Sequence, residues 1–413
     1  MNADVIVLGA GMIGVSIALH LQRRGRDVVL LDRRGAGEET SYGNAGIVER
    51  ASVTPYPFPR DLASLVKYGL NRSTQVRYDP FFLPRIAPWL FSYWRASSPA
   101  RLAEARQAMK PLIEACVDEH ADLIAEAGAA PLIRRNGWIK AVRSQKSLDA
   151  EAANAEELKA HGIAFEILDR AALAAREPHL GETLIGGVHF TDPPTSPDPG
   201  GLTKAYADLF VRKGGRFVEG DARTLAKAPQ GWRASAADGS EISAREAVIA
   251  LGPWSNDVYE AFGYRMPLAV KRGYHMHYRA RGNAVLSHPV LDVDTGVVLA
   301  PMSRGVRMTT GVEFAARDAP ANTIQIGRCE PFAREIFPLG ERIETTPWLG
   351  CRPCLPDMRP VIGPAPRHPG LWFAFGHNHH GFTLGPVTGR LLAQMMTGAP
   401  TLTDPTPYRA DRF

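Results

Sequence analysis

A glycine-rich turn near the N-terminus constrains the fold more than any other feature of the sequence. The motif G-x-G-x-x-G at residues 9–14 directly follows the apolar run Val5–Leu8, which is typical of a buried parallel strand. Gly9 permits a tight turn, Gly11 lets the backbone approach a pyrophosphate, and Gly14 lets the next helix pack closely on the strand. The N-terminus of that helix offers free N–H groups to phosphates. The pattern therefore predicts a strand–turn–helix unit suited to a dinucleotide.

A carboxylate stands where such a unit needs one. The run Val28–Leu31 is a second predicted buried strand, and it ends at Asp32, 21 positions after Gly11. At this distance a carboxylate binds the adenosine ribose of a dinucleotide. The two strands, the turn and Asp32 together predict dinucleotide binding rather than a purely structural turn. They do not distinguish FAD from NAD.

Length and composition narrow the class of protein. A chain of 413 residues, 45% hydrophobic and 22% charged, is expected to form two or three globular domains. The net charge is +5, but basic and acidic residues are interspersed, which argues against nucleic-acid binding. Four cysteines are too few for a secreted disulfide framework. Since Val5 begins a strand without a basic leader, and Val5–Leu21 contains three glycines, we expect no signal peptide, no membrane span and a cytoplasmic location.

The apolar pattern predicts further elements. Strands that return to the first sheet are predicted at 217–218, 247–251 and 371–375. Helices are predicted over 100–127, 202–212 and 384–396. Residues 267–314 are rich in β-branched side chains at short spacing, which predicts an antiparallel sheet in a second domain. The two domains are expected to be interleaved, because the N- and C-terminal thirds share one sheet.

Two small-residue segments lie where a chain could pass along a bound cofactor. Thr40–Gly46 has the sequence T-S-Y-G-N-A-G, which suits a pyrophosphate and a flat ring; a flexible loop is the alternative. Gly376–Gly385 has the sequence G-H-N-H-H-G-F-T-L-G and opens a predicted helix. The N-terminus of that helix could stabilise negative charge on a reduced flavin.

Four ordered motifs resemble those of one known family. They are T-S-Y-G-N-A-G at 40–46, A-L-G-P-W-S at 250–255, G-C-R-P at 350–353 with Pro356-Asp357, and G-H-x-x-x-G-x-T-L-G-P at 376–386. Together they resemble the D-amino-acid oxidase (DAO) family of FAD-dependent amine oxidoreductases, and within it the bacterial D-amino-acid dehydrogenases. The resemblance spans nearly the whole chain.

The resemblance implies an α/β fold in which a FAD-binding Rossmann-like domain is interleaved with a substrate domain built on an antiparallel sheet, of α+β type. The FAD-binding domain is predicted to comprise residues 1–80, 145–260 and 345–413. The substrate domain is predicted to comprise residues 81–144 and 261–344.

The resemblance also implies the FAD contacts, residue by residue. The motif glycines Gly9, Gly11 and Gly14 form the pyrophosphate turn. The other expected contacts are Met12, Ile13, Asp32, Arg33, Thr40, Ser41, Asn44, Ala45, Gly46, Ile47, Ala222, Gly252, Trp254, Gly376, His377, Gly381, Phe382 and Thr383. Non-covalent FAD is expected, because the cysteines near residue 351 fall out of register with the one that carries flavin in sarcosine-oxidase-like members.

Substrate-binding residues are implied in the same way. Arg352 matches the arginine that binds the substrate carboxylate, and Tyr274 is a looser match to a substrate-facing tyrosine. An arginine tied to Asp357 is the alternative for Arg352. His379 and His380 lie where related enzymes place residues over the substrate, and a neutral imidazole there could accept the ammonium proton. Structural histidines are the alternative.

Cysteines and one arginine have alternative interpretations. Cys351 and Cys354 form a C-x-x-C motif, which can bind zinc or act as a redox dithiol, but the sequence has no second pair. We therefore expect no metal and inert, partly buried thiols. Arg307 is expected at the surface, with a position facing the flavin ring as the alternative.

An unusually aromatic segment covers residues 81–95. Six of its fifteen residues are Phe, Trp or Tyr and arginines flank them, a composition that suits a membrane interface. Because Pro84 and Pro88 stand four positions apart, we expect no single long amphipathic helix here. Packing between domains, or a lid near the substrate, is the simpler interpretation.

The resemblance implies oxidation of an amino acid, of D configuration and including proline-like ones, at its α-carbon by hydride transfer to flavin N5. The imine then gives a keto acid and ammonia, or stays cyclic. The expected partners are a small amino-acid substrate and a quinone or other electron acceptor. Two alternatives stay open: a sarcosine or other secondary-amine oxidase of the same fold, and a flavin-carrying subunit of a multi-subunit dehydrogenase. Partner subunits and a peripheral contact with the inner face of the cell membrane are open as well.

Overall fold

Eighteen strands form two sheets in the computed structural model, which describes residues 1–413. The strands are β1 (Asn2–Leu8), β2 (Val28–Asp32), β3 (Val76–Tyr78), β4 (Trp138–Val142), β5 (Phe165–Asp169), β6 (Gly186–Phe190), β7 (Arg216–Ala228), β8 (Gly231–Ala236), β9 (Glu241–Ile249), β10 (Ala269–Ala280), β11 (Val290–Asp292), β12 (Val297–Met302), β13 (Gly305–Thr309), β14 (Val312–Phe314), β15 (Leu339–Arg342), β16 (Trp348–Cys354), β17 (Val361–Pro364) and β18 (Leu371–Phe375).

Ten α-helices and six short 3₁₀ helices connect the strands. The α-helices are α1 (Met12–Gln22), α2 (Leu62–Gly69), α3 (Leu83–Ala96), α4 (Pro99–Ala127), α5 (Gln145–Leu158), α6 (Arg170–Arg176), α7 (Pro199–Arg212), α8 (Asn256–Tyr259), α9 (Ile324–Ile336) and α10 (Gly385–Met396). The 3₁₀ helices are Ala130–Leu132, Lys159–His161, Gly252–Trp254, Glu260–Phe262, Thr406–Tyr408 and Ala410–Arg412. None of these helices combines the length and the apolar composition that crossing a membrane requires.

The first sheet contains the predicted dinucleotide-binding unit. Strands β7, β2, β1, β9 and β18 pair in parallel, β8 joins β7 to β9 antiparallel, and β17 closes the edge beside β18. Side chains of β1 alternate between two cores, with Val5 and Val7 on the face covered by α1, α4, α7 and α10, and Ile6 and Leu8 on the other. The predicted strands and helices of this layer are confirmed.

The second sheet is built around β10. This strand pairs antiparallel with β13, β14, β15 and β16, and the sheet continues through β12, β11, β4, β6 and β5. The predicted antiparallel sheet at 267–314 is confirmed.

The sheets divide the chain differently from the predicted domain segments. Strands β5, β6 and β16 lie in the second sheet, although the sequence pattern assigns 145–260 and 345–413 to the FAD-binding domain. Helix α4, assigned with 81–144 to the substrate domain, instead packs on α7 and α10 of the first layer. Strand partners are chosen by contacts between distant residues, which a local pattern does not encode.

Helix α3 corrects the expectation for the aromatic segment, because it is continuous through both prolines. Pro84 lies in the first turn, where its missing N–H has no helical partner to lose. Pro88 is interior and costs about 3 kcal/mol. Burial of Ile86, Trp89 and Tyr93 on one face contributes roughly 1.5–3 kcal/mol per side chain and offsets that cost.

A fully buried ion pair joins β10 to β14. Arg272 and Glu313 lie opposite each other in the register, with Nε and Oε2 3.1 Å apart, and both side chains are shielded from solvent. The Tyr274 hydroxyl and the Asn322 amide also donate to the Glu313 carboxylate, at 2.6 and 2.8 Å. The network fixes the strand that carries Tyr274.

Glu313→Ala is expected to lower the free energy of unfolding by about 3–5 kcal/mol, because it leaves Arg272 buried without an opposing charge. Glu241→Ala is the matched control, since its partner Arg233 is exposed and such pairs contribute about 1 kcal/mol or less. Urea denaturation followed by circular dichroism measures both. Equal losses in the two variants would contradict the role given to Glu313.

Candidate active site

One large cavity is bounded by residues of both sheets. Its volume is about 1280 Å³, above the roughly 300–1,000 Å³ of ordinary small-molecule pockets. All the predicted site residues line it except Gly14, Gly46 and Gly376, which shape the turns behind its wall. The fold therefore brings together residues that lie more than 300 positions apart in the chain.

The glycine turn forms one wall of the cavity. Gly9 has φ +105°, and a Cβ there would lie 2.5 Å from the carbonyl oxygen of Ala250, which directly follows β9. A Cβ at Gly14 would overlap the carbonyl oxygen of Gly9. Helix α1 begins at Met12, and no side chain caps it at Gly11. Its first N–H groups and the positive end of its dipole thus face the cavity.

Asp32 lies beside this turn, at the carboxyl end of β2. Its carboxylate accepts hydrogen bonds from the N–H of Ala10 at 2.6 Å and from that of Arg34 at 3.1 Å. Burial is the main influence on this group and raises the pKa of the Asp32 carboxyl above its ordinary value. The carboxylate lines the cavity beside the glycine turn, and its contact with a ribose stays a prediction.

A contact between a cation and an aromatic ring lies in the cavity wall close to Asp32. The guanidinium of Arg33 lies 4.5 Å above the ring of Trp254. Gly252 opens the short helix that carries Trp254, and Ala222 of β7 lines the same cavity. Residues of three chain segments therefore lie in the wall of one cavity, and their contact with the adenosine end of a dinucleotide stays a prediction.

The segment that follows β2 is tied to both sheets. The Ser41 hydroxyl accepts from the N–H of Met12 at 3.0 Å, on the first turn of α1. The Thr40 hydroxyl donates to the carbonyl of Cys351 on β16, also at 3.0 Å. Residues 40–47 therefore form an anchored wall of the cavity and not a free loop.

Arg307 donates hydrogen bonds to this segment and is buried, so the prediction of a surface arginine is wrong. Its side chain is 2% exposed, and its Nη1 donates to the carbonyls of Tyr42 at 2.8 Å and Asn44 at 2.6 Å. Its Nε lies 3.0 Å from Nε2 of His277. Burial lowers the pKa of Arg307 to about 10, so it remains charged at neutral pH. Arg307 supports the loop and does not line the cavity.

The C-terminal turn forms the opposite wall. Gly376, with φ +80°, ends β18, and the N–H of Asn378 then donates to the carbonyl of Pro353 at 2.9 Å. The His377 ring lies 3.0 Å from the Thr388 hydroxyl of α10, and burial lowers the pKa of His377 to about 3. The turn is thereby fixed against β16.

Arg352 of β16 is a charged side chain without a protein partner. It forms no hydrogen bond and no ion pair, and its Nη1 is buried and unsatisfied. Its guanidinium occupies the space over Gly273 of β10, where a Cβ would lie 2.5 Å from Nη1. The alternative prediction was an ion pair between Arg352 and Asp357. The structure does not form it, because Asp357 pairs with Arg359 and Arg412.

Tyr274 belongs to the cavity wall, but its side chain lies on the face of β10 opposite Arg352, in the core with Met276 and Tyr278, and its hydroxyl is occupied. The hydroxyl donates to Glu313 at 2.6 Å and accepts from Arg272 and Asn322, each at 3.0 Å. Burial, with Glu313 adding to it, raises the pKa of Tyr274 to about 12. The predicted contact of Tyr274 with substrate stays a prediction.

His379 and His380 lie together in the cavity wall. Two residues that the sequence patterns do not indicate, Glu49 and Tyr56, lie next to them. The rings of His379 and His380 lie 3.7 Å apart, and Nε2 of His379 is 3.4 Å from the Ser52 hydroxyl. Burial lowers the pKa of His380 to about 4 and that of His379 well below its ordinary value, so both are neutral. No spacing or motif distinguishes Glu49 and Tyr56 from surface residues.

Metal-ligating groups come together at one point. Ligand atoms of Glu49, His379 and His380 all lie within 4.8 Å of one another, a spacing that a divalent ion could bridge. Cys351 and Cys354 are not part of this group. Both thiols are free and buried, and burial raises the pKa of Cys351 to about 11, so it is protonated at neutral pH.

Comparison with protein families matches nearly the whole chain. The sequence profile of the DAO family, described as FAD dependent oxidoreductase, matches residues 4–395. The chain is 29% identical to a D-amino-acid oxidase of Bradyrhizobium diazoefficiens over 99% of this chain and 98% of the relative. It is 31% identical to a D-amino acid dehydrogenase of Granulibacter bethesdensis over 95% of this chain and 96% of the relative.

A solved structure shares the fold. The crystal structure of glycine oxidase from Geobacillus kaustophilus superposes with a TM-score of 0.74, at 21% identity, over 100% of this chain and 99% of that one. At this identity the likeness concerns the fold alone. The first turn of α1, the glycines that exclude a Cβ and the cavity of about 1280 Å³ fit the flavin dinucleotide that the family profile names.

Proposed function

The chain belongs to the DAO family of FAD-dependent oxidoreductases, and on this premise we propose that it oxidises the α-carbon of a D-amino acid. The observation that carries the proposal is the unpaired guanidinium of Arg352 in the cavity wall. A buried cation without a counter-charge costs free energy, which an anionic ligand group recovers. The planar fork of arginine suits a carboxylate.

The D configuration is supported by the relatives at about 30% identity, whose names are D-amino-acid oxidase and D-amino acid dehydrogenase. A sarcosine or other secondary-amine oxidase is the second candidate, since a glycine oxidase shares the fold. Turnover of D-amino acids against N-methylglycine separates the two. Release of a keto acid and ammonia, or of a cyclic imine from a proline-like substrate, identifies the product.

The chain's own residues would position the reactants. The first turn of α1 would hold the pyrophosphate, Asp32 the ribose, and residues 40–47 with 376–383 the flavin ring. Bound there, FAD would supply the two-electron oxidant for the α-carbon. Arg352 would bind the carboxylate, Tyr274 would support the strand beside it, and the apolar walls would exclude water.

Acid precipitation is expected to release the flavin into the supernatant. Cys351 and Cys354 are buried and their pKa values are raised by burial, which disfavours the thiolate that a covalent flavin bond needs. The absorbance of the supernatant and of the redissolved pellet measures the partition. A yellow pellet would contradict non-covalent binding.

Arg352→Ala is expected to lower kcat/KM by about ten- to several-hundred-fold, since a charge-assisted hydrogen bond contributes roughly 1.5–3 kcal/mol. Arg352→Lys should recover part of the loss, because lysine offers a charge without the fork. Steady-state kinetics at equal flavin content measures both.

Arg359→Ala is the matched control, since Arg359 pairs with Asp357 and does not line the cavity. It should keep kcat/KM close to that of the wild type. The assignment fails if Arg352→Ala matches this control, or if it acts through loss of flavin.

Electron transfer to a membrane quinone is proposed from the surface around α2 and α3. Residues 56–95, the α2–α3 surface, combine exposed apolar side chains with six basic and two acidic residues. Phe81 is 92% exposed, Leu62 76% and Phe91 58%. The inner sides of the same helices line the cavity through Leu65, Leu83 and neighbouring residues. An anionic lipid surface complements both properties and would bring a quinone to the cavity mouth.

With a quinone analogue in anionic vesicles, substrate-driven quinone reduction is expected to exceed peroxide formation from oxygen. The double variant Phe81→Ser/Phe91→Ser should sediment less with the vesicles and lose that advantage. Val285→Ser, which changes an exposed side chain outside the α2–α3 surface, should behave like the wild type. Faster peroxide formation than quinone reduction by the wild type would overturn this proposal.

A further inference from the structure

The basic side chains that line the cavity fall into two groups. Six lysines and arginines belong to the cavity wall, and four of them form ion pairs with carboxylates. These four are Arg33, Lys140, Arg223 and Arg317, and their partners are Glu39, Glu151, Asp221, Asp257 and Asp318. The other two are Lys271 and Arg352, and neither forms an ion pair with a carboxylate.

The two unpaired cations lie side by side in the second sheet. Lys271 of β10 and Arg352 of β16 are directly opposed in the register of this antiparallel pair. Directly opposed side chains point to the same face of a sheet, and their Cβ atoms lie roughly 4.5–5.5 Å apart. Both residues belong to the cavity wall, so their common face borders the cavity. A ligand group bound at Arg352 therefore lies next to the position of Lys271.

The two side chains extend in opposite directions along the strands. The Arg352 guanidinium lies over Gly273, where a Cβ would be 2.5 Å from its Nη1. The Lys271 ammonium lies 4.0 Å from the centre of the Tyr93 ring. Tyr93 belongs to the same apolar cluster as Cys354, which follows Arg352 on the side away from Gly273. Because the two charged groups point apart, they suit two anionic groups better than the two oxygens of one carboxylate.

Aromatic rings of α3 hold the Lys271 ammonium in place. The Trp89 ring lies 5.7 Å from it, on the same helix as Tyr93. Both rings are fixed by hydrogen bonds, since Trp89 Nε1 donates to the carbonyl of Pro267 and the Tyr93 hydroxyl donates to that of Tyr56. Aromatic faces attract a cation but carry no net charge to neutralise it. The charge of Lys271 is therefore available to an anion in the cavity.

An amino acid with an acidic side chain carries two carboxylates. We propose that Lys271 binds the side-chain carboxylate of the substrate while Arg352 binds its α-carboxylate, so that the enzyme prefers dicarboxylic D-amino acids. Each carboxylate forms a charge-assisted hydrogen bond that an uncharged group of the same shape does not form. This role rests on the proposed function and names the substrate class for it.

The kinetic test compares each acid with its amide. D-Glutamate and D-glutamine have side chains of the same length, as do D-aspartate and D-asparagine, but only the acids carry the second negative charge. We expect the wild type to show a kcat/KM about 10- to 100-fold higher for at least one acid than for its amide, mainly through KM. Steady-state kinetics at equal flavin content measures this ratio.

Lys271→Met keeps the length of the side chain and removes its charge, so the ratio between acid and amide should fall toward one. Lys271→Arg should keep part of the preference, because it keeps the charge. Lys146→Met is the matched control, since Lys146 is an exposed lysine outside the cavity wall, and it should keep the wild-type ratio.

A binding measurement tests the same claim without turnover. Glutarate and its monoamide have no amino group, and their binding is followed by the change in flavin absorbance. Glutarate should bind about 10- to 100-fold more tightly than the monoamide to the wild type, and Lys271→Met should remove this difference.

Two results would overturn the role of Lys271. One is a wild type that oxidises amides as well as acids and binds glutarate no better than its monoamide. The other is an equal loss for acid and amide in Lys271→Met, which would indicate a structural role or a shared grip on the α-carboxylate. A wild type that oxidises no amino acid would overturn the proposed function itself, and the binding measurement would still test the two cations.

Discussion

Strand β16 is the constraint on which the rest of the site depends. Its backbone pairs with β10 over seven residues, which makes it part of the second sheet. The same strand receives the Thr40 hydroxyl at Cys351 and the Asn378 N–H at Pro353, so both of these cavity-lining segments are anchored to it. Arg352 lies between these two anchors. A shift of β16 would therefore move Arg352 and both of these segments together.

Burial gives the cavity its chemistry. In a region of low dielectric, an unpaired charge interacts strongly with any ligand charge that reaches it, because water does not screen the pair. Most charged groups of the wall pair with neighbours, while Arg352, Lys271 and Glu49 form no ion pair. The unpaired guanidinium of Arg352 is the charge on which the proposed substrate binding depends.

The sequence patterns predicted what is local. The turn at residues 9–14, Asp32 at the end of β2 and the strands of the first sheet depend on contiguous residues and were found as expected. The prediction of a surface position for Arg307 was wrong, because its partners are the carbonyls of Tyr42 and Asn44, more than 260 positions away. The prediction that no single helix forms over the aromatic segment was wrong, because burial of one face of α3 outweighs the cost of Pro88. Glu49 meets His379 and His380, more than 300 positions away in the chain, and no sequence pattern records this contact.

We propose that the protein oxidises a D-amino acid at its α-carbon in this cavity. The most direct measurement is the absorbance spectrum of the purified flavoprotein during anaerobic titration with a panel of D- and L-amino acids and N-methylglycine. The account predicts that one or more D-amino acids bleach the oxidised flavin, while their L enantiomers and N-methylglycine do not. A flavin that dithionite reduces but no D-amino acid bleaches would contradict it.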